Sequence, residues 1–155
     1  MALTAGQIPV LANVPNSDVA VLNSAGTGQG AGLLGTDTNG VTGYTAGALG
    51  GRVYSVLAST SALVNSAFVY ILRGTKVIPI GNVSIPATSG NTVGSTVKNV
   101  DFLDGVALAG LPVDNTGKRY IPLQGGDLLR FSVWTAIPTG ATRTYITSLG
   151  ADYQL

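Results

Sequence analysis

The chain contains no histidine, no cysteine and no glutamate. Without thiols there is no disulfide framework, no zinc–thiolate cluster and no cysteine nucleophile. Without histidine the commonest general base and the serine–histidine–aspartate arrangement are excluded as well. Charge is also scarce: eight lysines and arginines face seven acids, all aspartate, and charged residues are 10% of the chain, against about 25% in an average globular protein. That balance supplies neither the basic stripe that nucleic acid requires nor a cationic face for a membrane. With no clustered acid pair to replace the missing bases, no enzyme activity and no cofactor or metal is expected.

Hydroxyl groups stand in for the missing charge, with 28 serines and threonines. Small domains normally stay soluble by charging their surface. A surface this neutral belongs either to a robust β domain with a hydroxyl-rich exterior or to a protein whose neighbours cover it. At 155 residues the chain fits one domain that can bury a core without covalent staples. The opening MALTAGQIPVL lacks a basic stretch followed by an apolar one, so a secretory signal is not expected. Residues 53–72 are uncharged over the length of a membrane span, but Ser55, Ser59, Thr60, Ser61, Asn65 and Ser66 interrupt them, and two strands joined by a turn account for the pattern better.

Composition changes near residue 50. The first 50 residues hold ten of the 22 glycines, only Asp18 and Asp37 as charges, and no sustained periodicity. Glycine disfavours both helix and strand, and a structureless stretch of this length is too long for an ordinary loop. Residues 1–50 therefore read as an extended Gly-rich N-terminal arm with a short strand at Asp18–Leu22. Its scattered apolar side chains, Ile8, Val10, Leu33 and Leu34 among them, become contacts to a neighbouring subunit. On this reading, deleting about the first 45 residues leaves the remainder folded.

Residues 51–155 read as a β domain. Strands are expected at Val53–Thr60, Ala67–Arg73, Lys76–Ile85, Val97–Leu103, Arg119–Leu123, Asp127–Ala136 and Arg143–Leu149, with a hairpin turn at Arg73-Gly74-Thr75-Lys76. Turn formers fill Pro86–Gly94, Gly110–Gly117 and Ile137–Gly140. The expectation is an all-β, antiparallel β-sandwich or jelly-roll-like domain. In Asp127–Ala136, Leu129, Phe131 and Val133 form the core face, while Arg130, Ser132 and Trp134 face away. In Ala67–Arg73 both alternating sets are apolar: Ala67, Val69, Ile71 and Phe68, Tyr70, Leu72. Such a strand is covered on both faces, in a layer thicker than one sandwich or at a subunit interface. Pro79 and Gly81 make Lys76–Ile85 an edge or bulged strand.

Few residues suggest chemistry. Asp101 and Asp104, three apart, carry the ligand type for calcium, but they read better as a solvated strand end, and Asp114–Gly117 as a turn. The run Gly26–Gly32 lacks the lysine and the strand–helix context of a phosphate-binding loop. Trp134, Tyr145, Tyr70, Phe68 and Arg130 are of types enriched at protein interfaces. Tyr120, Trp134 and Tyr145 are alternatively suited to stacking on sugar rings.

Taken in order, YILRGTK, IGNVSIPATSG, LPVDNTGKRYIPLQGGDLLRF and the closing aromatic strand resemble the elements of small virion proteins of tailed bacteriophages. The resemblance spans residues 51–149 and includes the lead Ile121-Pro122-Leu123-Gln124-Gly125-Gly126-Asp127 into a long strand. It implies a capsid decoration (cement) protein: a jelly-roll-like domain, trimeric, made in the host cytoplasm and placed on the capsid surface of the virion. There it would clamp adjacent subunits of the major capsid protein, with no catalytic residues. The alternative is a ligand- or glycan-binding module of a phage tail fibre or adhesin, using Trp134 and nearby tyrosines.

Overall fold

A computed structural model describes residues 11–22, 40–60, 65–87, 89, 99–104, 108–133 and 144–154. They contain nine strands: β1 (Leu11–Leu22), β2 (Val41–Thr45), β3 (Gly51–Thr60), β4 (Asn65–Arg73), β5 (Lys76–Ile85), β6 (Val100–Asp101), β7 (Ile121–Leu123), β8 (Leu128–Val133) and β9 (Thr144–Gln154). No α-helix occurs among the described residues. Two antiparallel sheets result. One runs β1-β9-β3, with β6 and β7 both on the far edge of β3, and the other runs β2-β8-β4-β5.

β6 and β7 behave as one interrupted strand. Val100 and Asp101 pair with Ala58 and Leu57, and Ile121 to Leu123 continue along the same edge from Val53 to Gly51. Residues 102–120 lie between these two pieces in the chain. With β6 and β7 counted together, eight strands distribute between two sheets in jelly-roll order.

Alternation explains the core. Leu129, Phe131 and Val133 of β8, Ala67 and Val69 of β4, and Val56 and Ala58 of β3 are buried in one cluster with Ile146, Ile121 and Leu22. Phe102 and Phe131 meet edge to face at 6.3 Å, a favoured aromatic geometry. β5 is indeed an edge strand, and it is bulged opposite Val69 and Tyr70, where Gly81 and Pro79 fall. Proline costs no ladder bond there. The hairpin between β4 and β5 turns at Gly74, whose φ of 60° suits glycine. At Gly125 the constraint is space, because a Cβ would sit 2.0 Å from the Ala48 carbonyl oxygen.

The compositional break at residue 50 is not a boundary of the fold. β1 pairs with β9 from Leu11–Gln154 to Leu22–Thr144, and β2 pairs with β8, so both belong to the sandwich rather than to an arm. Their periodic signal is weak for a physical reason. Among its described side chains β1 sends only Ala20 and Leu22 into the core, and it is held largely by backbone hydrogen bonds, which any sequence can make. Of the expected arm, residues 1–10 and 23–39, with Ile8, Val10, Leu33 and Leu34, lie outside the described residues. The strand expected over Val97–Leu103 shrinks to two described residues, and that at Arg119–Leu123 to three.

Two polar clamps join distant segments. Tyr44 Oη donates to Asp152 Oδ1 at 2.9 Å, and Asn16 Nδ2 donates to Asp152 Oδ2 at 2.9 Å and to the Thr45 carbonyl at 3.1 Å. Burial first, then this carboxylate, pushes the Tyr44 phenol well above its ordinary value. The second clamp is a forked ion pair. Arg73 Nε and Nη2 donate to Asp127 Oδ1 and Oδ2 at 2.8 and 2.7 Å, and the Gln124 amide donates to Oδ2 at 2.8 Å. It ties the β4–β5 hairpin to the turn before β8.

Two outcomes follow. Phe131→Ala, at a fully buried site, is expected to cost about 3–5 kcal/mol in denaturant unfolding; a loss well below that range would place Phe131 outside the core. The Arg73 guanidinium holds the Asp127 carboxyl below its usual range, against the opposing effect of burial. A depressed folded-state pKa contributes stability above the unfolded value, near pH 4, which is lost as pH falls through the folded one. Thermal unfolding should therefore show Asp127→Asn less stable than the native chain at pH 7, with the gap closing below about pH 4.

Candidate functional site: a cleft beside the interrupted strand

The break between β6 and β7 has a structural consequence. Phe102 leaves the strand by donating its amide to the Val56 carbonyl and burying its ring, and Leu103 and Asp104 follow it beside β3. Asp101 Oδ1 accepts the Leu103 amide at 3.0 Å, which tightens this exit. Further on, Val113 and Arg119 bridge in antiparallel fashion. Asp114 Oδ1 closes the turn between them by accepting from the Thr116 amide and hydroxyl and the Lys118 amide at 2.8, 2.7 and 3.0 Å. These bonds, the Thr116 hydroxyl foremost, hold the Asp114 carboxyl below its usual range, so it is ionised at neutral pH. The Tyr120 amide donates to the Pro112 carbonyl, and the chain rejoins β3 as β7.

Between this excursion and the start of β3 lies an open cleft of about 460 Å³. β3 and β9 contribute Arg52, Tyr54, Ser55 and Ala151, and the β6 end contributes Asp101, Leu103 and Asp104. The turn contributes Asp114, Lys118, Arg119 and Tyr120. Tyr54 is half exposed, and the Arg52 guanidinium lies 6.0 Å from the centre of the Tyr120 ring. Arg119 Nη1 donates to the Leu103 carbonyl at 3.4 Å, linking the two ends of the excursion. Although three aspartates line the cleft, no group of three acids is placed to hold a metal ion among the described residues.

The interface candidates read from the sequence do not gather at this cleft. Tyr70 is completely buried within the single chain, so it presents no surface to a partner. It pairs with Arg130 on the face of the four-stranded sheet opposite Val69 and Ile71. The second apolar face of β4 is thus covered inside one chain at Tyr70, while Leu72 on that face stays partly exposed. Phe68 and Arg130 on that face are partly exposed, and Arg130 Nη2 donates to the Gly40 carbonyl. Tyr145 sits on the outer face of the other sheet, between Val21 and Ser59. Trp134 lies outside the described residues.

Sequence reasoning missed Arg52, Tyr54, Lys118 and Arg119 as one group because they come from two segments more than sixty residues apart in the chain. The usable signal was a strand pattern broken by Pro, Gly, Asn and Asp over residues 110–117, Asp114 among them, and preceded by aspartates at 101 and 104. Compared with protein-family models, with curated proteins and with solved structures, the chain has no significant match.

Proposed function

We propose that this chain is a structural virion protein, a capsid decoration (cement) protein that binds across adjacent major capsid subunits as a homo-oligomer, a trimer by its resemblance to small phage virion proteins. The observation that carries the reading is the outer face of the five-stranded sheet. Three cross-strand rows run over its centre: Val21–Tyr145–Ser59, Val19–Thr147–Leu57 and Ser17–Leu149–Ser55. No charged side chain lies among these nine residues, and the middle row ends beside Asp101 of β6. Val19 is 44% exposed, and the β3 and β9 members of the rows are all partly exposed.

Such a face suits burial against another protein. Its aliphatic groups gain from leaving water, at roughly 25 cal/mol per Å², and its hydroxyls can satisfy polar groups across a joint without the desolvation penalty of a buried charge. An isolated soluble domain gains nothing from so neutral a face. The mechanism is mechanical: surface buried across the joint must be exposed again before neighbouring capsid subunits can separate.

The test places a lysine at the centre of the face, as Leu57→Lys or Thr147→Lys. Surface changes of this kind alter stability by about 0.5 kcal/mol or less, so thermal unfolding should be nearly unchanged. Co-sedimentation with capsids lacking the protein should be lost, and light scattering should show the oligomer dissociated. Undiminished capsid binding by both variants, or a native chain that neither self-associates nor binds capsids, would overturn the proposal.

A further inference from the structure

We propose that the cleft between β3 and the 102–120 excursion is a binding site for a neutral saccharide. The argument starts from its charges. Arg52, Lys118 and Arg119 are matched one for one by Asp101, Asp104 and Asp114. Three carboxylates at the wall oppose a phosphate or other anion, and three cations oppose an ammonium ligand. Among the described residues of the lining the apolar side chains are Leu103 and Ala151, too few for the mostly hydrophobic wall that an apolar ligand needs.

A saccharide matches what remains. Its hydroxyls both donate and accept, so they use carboxylate acceptors and guanidinium or ammonium donors together. Its C–H faces lie against aromatic rings, and the cleft offers two tyrosines. Tyr54 is half exposed, and Tyr120 has the Arg52 guanidinium 6.0 Å from its ring centre. The acceptors are also set in advance, because Oδ1 of both Asp101 and Asp114 is already engaged by backbone amides of its own loop. Fixing a carboxylate before the ligand arrives removes part of the ordering cost of binding. A volume of about 460 Å³ lies within the range of small-molecule sites, roughly 300–1,000 Å³.

The site is independent of the capsid reading and can be tested on the free, full-length chain. Saturation-transfer NMR would be run with glucose, galactose, mannose and N-acetylglucosamine, and with glucuronate and N-acetylneuraminate as acidic counterparts. The expected result is binding of at least one neutral sugar with a dissociation constant of roughly millimolar or tighter. Tyr54→Ser and Asp104→Asn, both at exposed side chains, should each weaken it about tenfold without moving the unfolding midpoint. Lys76→Ala, on the far β4–β5 hairpin, should leave it unchanged. Signal from the acidic sugars alone, no signal from any neutral sugar, or binding indifferent to both cleft variants would overturn the proposal.

Discussion

The last strand of the chain lies between two of the first three. β9 pairs along its length with β1 on one side and β3 on the other, so the five-stranded sheet closes only when the C-terminal segment inserts between N-terminal ones. Loop-closure entropy must be met before these pairings contribute anything. Everything described here hangs on that insertion. It registers Ile146 against the second sheet, places the Asp152 carboxylate beside Tyr44 and Asn16, and sets Tyr145, Thr147 and Leu149 in line on the outer face.

From this ladder the chain distributes its few charges unevenly. The centre of the outer face has none, whereas six of its fifteen charged residues line the cleft beside β3. Two more, Arg73 and Asp127, are spent on one forked pair. A surface divided in this way has two different capacities. The neutral face suits extended contact with protein, and the charged cleft suits a small polar ligand.

Much of the fold was legible because runs of β-branched and aromatic residues bounded by turn formers recur from Gly51 onward. β3, β4, β5 and β8 were anticipated nearly to their ends, and Pro79 correctly marked an edge. Of the N-terminal strands only the Asp18–Leu22 end of β1 was, since among its described side chains β1 contributes only Ala20 and Leu22 to the core and β2 is five residues long with a bulge between Thr42 and Tyr44. Strands held mainly by backbone bonds leave little apolar alternation in the sequence. The cleft was harder still. Asp101 and Asp104 drew notice for their spacing, but nothing local to Arg52 or Tyr54 reveals that a loop fifty residues later folds back beside them.

The claim that β1 is part of the sandwich, rather than of an arm, is tested most directly by removing it. A chain lacking residues 1–22 would be compared with the full-length protein by thermal unfolding and by dispersion of amide NMR signals. The account predicts loss of the cooperative transition and collapse of the dispersed spectrum, because β9 then loses the whole of one ladder and Ala20 and Leu22 leave the core. A truncated chain that unfolds cooperatively near the native midpoint, with its β9 amides still dispersed, would contradict it.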